Sequence, residues 1–155
     1  MTASIPSDPN LDSISARISQ DSILAYDTYL QDLQTRNVYT VENDQAQAYL
    51  EAKFASFGYT DVTIDSFDVY GWTAHNVICT KLGTTEPDKV IVIGGHYDSY
   101  NGDSDPLVYA PGADDNGSGT VCVLEIARAL ADIPTKKTII FVAFDGEEYG
   151  LYGSE

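Results

Sequence analysis

Apolar residues in the N-terminal third of the chain recur every three or four positions, the period of an amphipathic helix. The pattern predicts one helix over residues 22–34 and a second over residues 44–57. Asn43 is suited to cap the start of the second helix, and Gly58 is suited to follow its end. Residues 1–12 are rich in Ser, Pro, Asp and Asn and are predicted to form a loose tail.

The pattern then changes to the period of two that is typical of strands. Over residues 62–69 apolar positions alternate with polar ones, and the alternation changes phase half-way, which predicts a bulge or turn near Ser66. Residues 73–82 are a further strand candidate. The apolar runs 90–93 and 138–144 are typical of strands covered on both faces.

A helix is predicted over residues 118–132, between the last two strands. It is apolar except for a stripe of Glu125, Arg128 and Asp132, which indicates a mostly buried helix. Strand, helix and strand in this order form a crossover unit between parallel strands. We therefore predict an α/β fold with three layers, α/β/α, around a mixed and largely parallel sheet.

Composition narrows the classes of partner. Of 155 residues, 43% are hydrophobic, which indicates a globular chain, and the net charge is −16. Such a charge repels phosphate backbones and anionic lipids, so we expect neither nucleic acid nor membrane partners, and the oligomeric state stays open.

The start of the chain lacks the basic and apolar regions of a signal peptide. Cys79 and Cys122 show no metal-binding spacing, and we expect both to be packed as small apolar residues.

Three polar clusters follow predicted element ends: GGHYDS after residue 93, PGADDNGSG before the buried helix, and DGEEYGLYGS after residue 144. In α/β sheets, ligands bind beyond the carboxyl ends of the strands. Together the clusters hold one histidine and six carboxylates in a glycine-rich setting. This combination predicts a cation site.

Each candidate also has a purely structural interpretation. His96 can bind zinc, with Asp98 accepting its free ring N–H, but a histidine at a strand end is often only hydrogen-bonded. Asp114 and Asp115 precede a helix, where carboxylates commonly cap the N-terminus. His75 has no carboxylate cluster nearby in the sequence and is expected to be structural.

Glu147 and Glu148 come directly off the last predicted strand. Two adjacent glutamates can divide the work of a hydrolytic site, one binding metal and the other accepting a proton from water. The structural alternative is the exposed start of a helix. Three such clusters at three element ends favour a shared site.

The motifs GGHYDS, APGADDNGSG and GEEYGLYGS, in this order, resemble the cocatalytic zinc exopeptidases of metallopeptidase family twenty-eight, clan MH. The resemblance covers about residues 36–155. It implies that His96 binds one zinc ion, Asp115 bridges two and Glu148 binds the other. It also implies that Glu147 is the general base and that Asp98 orients His96.

The resemblance implies an aminopeptidase in which a water shared by two zinc ions is deprotonated by Glu147 and attacks the peptide carbonyl. The family needs two further ligands, a carboxylate and a histidine, which we expect beyond Glu155. Residues 13–155 are then part of a catalytic domain, and residues 1–155 alone are expected to be inactive.

Three alternatives stay open on the same fold: a carboxypeptidase, a glutaminyl cyclase and a non-catalytic binding domain. Every ligand expected in this stretch is present, which favours an enzyme. By resemblance, the protein is expected to be secreted, in an extracellular or periplasmic location.

Overall fold

The computed structural model describes residues 9–155 as helices followed by strands, with one more helix before the last strand. Residues 9–12, which the sequence placed in the tail, are part of the first helix, and the rest of the predicted tail lies outside the described residues. The helices are α1 (Pro9–Ser15), α2 (Gln20–Asp32), α3 (Val41–Ser56) and α4 (Ser118–Leu130). The strands are β1 (Val62–Val69), β2 (Trp72–Lys81), β3 (Glu86–His96) and β4 (Lys137–Phe144).

The four strands form one mixed sheet in the order β1–β2–β4–β3. β1 pairs with β2 and β2 with β4 in antiparallel fashion, whereas β3 and β4 are parallel and are connected through α4. The predicted mixed α/β sheet and its strand–helix–strand unit are therefore confirmed, but the described sheet is not largely parallel, because only β3 and β4 pair in that way. Because β3 and β4 are parallel, with His96 opposite Phe144, their carboxyl ends lie at the same edge of the sheet.

The main core lies between the sheet and a layer formed by α2, α3 and α4, which contact one another. The sheet and this layer are two of the three predicted layers. Phe54 of α3 meets Phe141 of β4 with ring centroids 6.4 Å apart, and both side chains are fully buried. Leu50 and Leu124 fill the same core. The predicted apolar faces of the helices therefore do pack inward.

β1 is continuous, so the bulge predicted near Ser66 is wrong. Its register with β2 runs unbroken from Val62 opposite Cys79 to Val69 opposite Trp72. The change of phase arises because the two halves of the strand pack in different clusters: the first half joins the main core, and Phe67 and Val69 join a smaller cluster with Val38 and Ala74.

β3 is one of the two edge strands of the described sheet, and its apolar run is not covered on both faces. Val90, Ile91 and Val92 are exposed, because no described element covers this part of the strand.

The two cysteines differ in exposure. Cys79 is buried as predicted, whereas Cys122 is exposed, against expectation, since it lies on the outer side of α4. Within residues 9–155, no helix is long and apolar enough to cross a membrane.

The polar stripe of α4 is used for ion pairing. Glu125 is buried and accepts hydrogen bonds from Arg128 and from the Ser19 backbone N–H, while Asp132 pairs with Arg17. A carboxylate can be buried when its lone pairs are satisfied in this way. The stripe thus joins α4 to the segment between α1 and α2.

Candidate metal centre

Three loops bring the predicted site residues together at the carboxyl edge of β3 and β4. His96 is the last residue of β3, and Glu147 and Glu148 follow the end of β4 by three and four residues. Asp115 lies in the irregular turn 113–117, directly before α4. Parallel strands and the N-terminus of their crossover helix meet at the same edge, which explains the convergence of segments distant in sequence.

The side chains converge on one small volume. One ligand atom each from His96, Glu147 and Glu148 lie within 4.8 Å of one another. His96 Nε2 lies 3.3 Å from Asp115 Oδ1 and 3.8 Å from Glu147 Oε2. A cavity of about 250 Å³ opens beside His96 and Glu147. The His96 side chain is 12% exposed and that of Asp115 is 80% exposed, so the site has a buried wall and an open mouth.

Asp98 lies behind this cluster with its carboxylate fully buried. Its Oδ1 is 3.3 Å from His96 Nδ1, and the Asp98 carbonyl oxygen is 3.2 Å from the same ring nitrogen. The carboxylate also accepts hydrogen bonds from the backbone N–H groups of Glu147, at 3.2 Å, and Glu148, at 3.1 Å. One side chain therefore fixes the histidine ring and the backbone of both glutamates.

The electrostatics of the site favour a cation. Burial alone would lower the pKa of the His96 imidazole, but the hydrogen bond and charge of Asp98, together with Glu147, raise it to about 9. Burial, followed by the charges of Asp115 and Asp98, raises the pKa of Glu148. An imidazole nitrogen among carboxylate oxygens is a donor set that suits zinc, so the residues present fit the predicted metal.

Asp145, two residues before Glu147, is a further buried carboxylate, and it was not singled out from the sequence. It is fully buried and accepts hydrogen bonds from Tyr97 Oη, Asn43 Nδ2 and the His75 backbone N–H. Burial, followed by the charge of Asp98, raises the pKa of Asp145 to about 6. Its place between an apolar strand and a glycine was the available signal in the sequence.

Asn43 was predicted to cap α3, but the N-cap is Thr40 and the helix begins at Val41, so Asn43 already lies inside it. The Asn43 side chain instead donates hydrogen bonds to Asp145 and to the Arg36 carbonyl.

His75 lies outside the cluster of metal-ligand atoms found among the described residues, and its Nδ1 is 2.9 Å from Ser66 Oγ. This agrees with a structural role. Asp114 is exposed, and its carbonyl accepts a hydrogen bond from Ser118.

The chain matches a known protein family and is similar to proteins that have been described before. The model of peptidase family M28 matches residues 76–155, the half of the chain that carries all three loops. The chain belongs to peptidase family M28. A protein of the fungus Pyrenophora tritici-repentis, described as a probable zinc metalloprotease, is 36% identical over 171 residues. That alignment covers 96% of this chain and 39% of the fungal protein, so the chain spans about two fifths of that relative.

Other proteins similar to this chain include a further sequence relative and several solved structures. A probable aminopeptidase of Saccharomyces cerevisiae is 39% identical over 99 residues, covering 60% of this chain and 26% of the yeast protein. Among solved structures, LapB from Legionella pneumophila has a TM-score of 0.80 at 26% identity, over 99% of this chain and 42% of LapB. A glutaminyl cyclase from Bacteroides thetaiotaomicron has a TM-score of 0.71 at 26% identity, over 84% and 47%. A zinc-dependent exopeptidase from Parabacteroides distasonis has a TM-score of 0.70 at 29% identity, over 86% of this chain and 48% of that chain, so the zinc exopeptidase type of fold predicted from the sequence is confirmed.

Proposed function

We propose that the protein is a zinc-dependent aminopeptidase, which hydrolyses amino-terminal residues from peptides at a two-zinc site. The observation that carries the proposal is the convergence of His96, Asp115, Glu147 and Glu148 at one sheet edge in a member of family M28. The relatives described as a probable zinc metalloprotease and a probable aminopeptidase support the metal and the reaction class.

In this proposal His96 Nε2 would hold one zinc ion, the Glu148 carboxylate would hold the other, and Asp115 would serve as a ligand to both. The open mouth at Asp115 leaves room for substrate. When bound, zinc supplies Lewis-acid polarisation of the scissile carbonyl and lowers the pKa of the attacking water. Asp98 pairs with Nδ1 of the His96 ring, and Nε2 therefore faces the cluster of carboxylates.

Glu147 is proposed as the general base. Its side chain is 37% exposed and faces the mouth of the site, while its backbone N–H is held by Asp98. From this position its carboxylate accepts a proton from the attacking water and then passes it to the leaving amine. General bases of this kind contribute about 10²–10⁴-fold to the rate.

The described residues supply fewer ligands than two zinc ions need. Catalytic zinc usually has three protein ligands and one open position. His96, Asp115 as a bridge and Glu148 give each ion two. We therefore expect two further ligands in the working enzyme, which the family resemblance implies are a carboxylate and a histidine, and we expect residues 1–155 alone to hydrolyse no peptide.

Glutaminyl cyclase is the second candidate, because a solved cyclase shares the fold with a TM-score of 0.71. A cyclase converts an amino-terminal glutamine to a ring without using water. A hydrolase needs a base beside the metal, and the position of Glu147, with Oε2 3.8 Å from His96 Nε2, supports that role. Incubating the protein with peptides that begin with leucine or with glutamine distinguishes free amino acid from cyclised product.

The test of the proposal compares two adjacent variants in the natural protein, with the exposed Glu51→Gln as control. Glu147→Gln should keep the zinc content and lower the turnover of aminoacyl anilides by about 10²-fold or more. Glu148→Ala should lower the zinc content measured by elemental analysis. Equal loss of zinc in both variants would contradict the division of roles, and zinc binding without hydrolysis by the unmodified protein would favour a binding domain.

A further inference from the structure

Residues 34–43, which connect α2 to α3 and include the first three residues of α3, form hydrogen bonds with all three loops of the candidate site. We infer that this segment, here called the strap, holds the proposed zinc ligands in place and that Arg36 is its principal positioning residue. The inference rests on the proposed zinc site. The strap lies outside residues 76–155, the part of the chain matched by the family model, so that match assigns it no role.

Arg36 joins the loop of His96 to the loop of Asp115. Its side chain is fully buried, and Nε donates to the carbonyl of Tyr97, the residue after His96, at 2.6 Å. Nη1 donates to the Pro111 carbonyl at 2.5 Å, and Nη2 to the Gly112 carbonyl at 2.9 Å. A second bond from Nη1 reaches Leu30 at the end of α2, at 3.0 Å. One planar group thus spans both loops.

The strap reaches the glutamate loop through two asparagines. Asn43 Nδ2 donates to Asp145 Oδ1 at 3.0 Å and to the Arg36 carbonyl at 3.0 Å. Asn37 Nδ2 donates to Tyr149 Oη at 2.8 Å, and that hydroxyl lies 3.2 Å from Asn37 Oδ1. Tyr149 directly follows Glu148, and Asp145 precedes Glu147 by two residues. All three loops are therefore bonded to one short segment.

Backbone pairing makes the arrangement rigid. The Arg36 N–H donates to Ser99 Oγ, and the Ser99 N–H donates back to the Arg36 carbonyl. The Ala110 N–H donates to the Gln34 carbonyl. Gly112 fits closely against this frame: its φ is +51°, and an added Cβ would lie 3.0 Å from Arg36 Nη2 and 2.6 Å from the Asp115 carbonyl oxygen.

The chemistry of the site requires an arginine here. A guanidinium has five N–H donors in one plane and can satisfy four carbonyls at once, whereas a lysine amine has three donors at one point. Burial lowers the pKa of Arg36 to about 10, and the charges of Asp27 and Asp98 oppose that shift, so the group is charged at neutral pH. Removing it leaves buried carbonyls unpaired beside His96 and Asp115.

The experiment measures zinc affinity by chelator competition in the natural protein and its Arg36→Met and Arg36→Lys variants, with unfolding followed in parallel. The matched control is Arg128→Met, which removes an arginine that pairs with buried Glu125 about 15 Å along α4 from the site. We expect both Arg36 variants to bind zinc at least 10-fold more weakly, as for residues that orient metal ligands. The control should lose stability without losing zinc affinity.

Unchanged zinc affinity in the Arg36 variants would overturn the inference while leaving the proposed function intact. No zinc binding at His96 in the unmodified protein would instead overturn the proposed function. If Arg36→Met does not fold, Arg36→Lys decides. Failure of Arg36→Lys to fold would also overturn the inference, because a residue needed for folding as such is not specifically a positioning residue.

Discussion

Asp98→Asn is the substitution that tests the site architecture most finely. It keeps the size of the side chain and replaces one carboxylate oxygen by an NH₂ group. The wild-type carboxylate accepts from Glu147 N–H and Glu148 N–H and lies 3.3 Å from His96 Nδ1. An amide has one oxygen for these donors, so its NH₂ group must face at least one N–H.

The size of the effect follows from these contacts. One buried N–H left without an acceptor costs about 1–3 kcal/mol, so Asp98→Asn should lower the free energy of unfolding by about that amount. Asp98→Ala removes both acceptors and should cost about 2–6 kcal/mol, a large part of the stability of an ordinary domain. Loss of the partner of a metal-binding histidine weakens zinc affinity by about 10–100-fold, or about 1.4–2.7 kcal/mol.

The assay pairs chelator competition for zinc with urea unfolding of the metal-free protein. Asp103→Asn, which removes the same charge from an exposed loop, is the control and should change neither quantity by much. A zinc affinity in Asp98→Asn equal to that of the control would show that Asp98 does not orient His96 for zinc binding. So would a structure with an Asp98 oxygen about 2.0–2.2 Å from zinc, since Asp98 would then be a ligand.

Three further predictions concern stability. Burial acts to raise the pKa of Glu125, but hydrogen bonds from Arg128 outweigh burial, and the pKa is lowered overall. The stabilisation that the Glu125 carboxylate contributes should therefore be present above about pH 4 and be lost as the pH falls further. The difference in unfolding midpoint between wild type and Glu125→Gln should shrink in acid, and a constant difference would contradict this. Phe141→Ala should cost about 3–5 kcal/mol in urea unfolding, and a cost below about 1 kcal/mol would count against the core described here. Gly112→Ala should lower stability and zinc affinity more than Gly58→Ala, because both glycines have positive φ but only Gly112 is crowded; equal effects would contradict the close fit.

The periodic elements could be predicted from the sequence because their signals are local. Helices α2, α3 and α4 and the strands appear where the apolar spacing placed them, with ends shifted by a few residues. The errors arose where tertiary contacts decide. Asn43 looks like a cap, but its amide is used by Asp145, 102 residues away. The phase change in β1 reflects two different packing clusters, and the exposure of β3 reflects its place at the edge of the sheet.

In the candidate site, too, some residues could be predicted from the sequence and others could not. His96, Asp115 and the two glutamates could be found because they follow the ends of parallel strands or precede the helix that connects those strands. The task inferred for Arg36 could not, because its partners are backbone carbonyls, which every residue has and which leave no trace in a sequence.

The central claim is that zinc is bound between the loop of His96 and the loop of Glu148. Anomalous diffraction at the zinc edge, on crystals of the natural protein, tests it most directly. We expect two peaks, one about 2.0–2.1 Å from His96 Nε2 and one about 2.0–2.2 Å from a Glu148 oxygen, with Asp115 contacting both and Glu147 contacting neither. Zinc bound elsewhere, or no peak beside His96 in a protein that hydrolyses peptides, would contradict it.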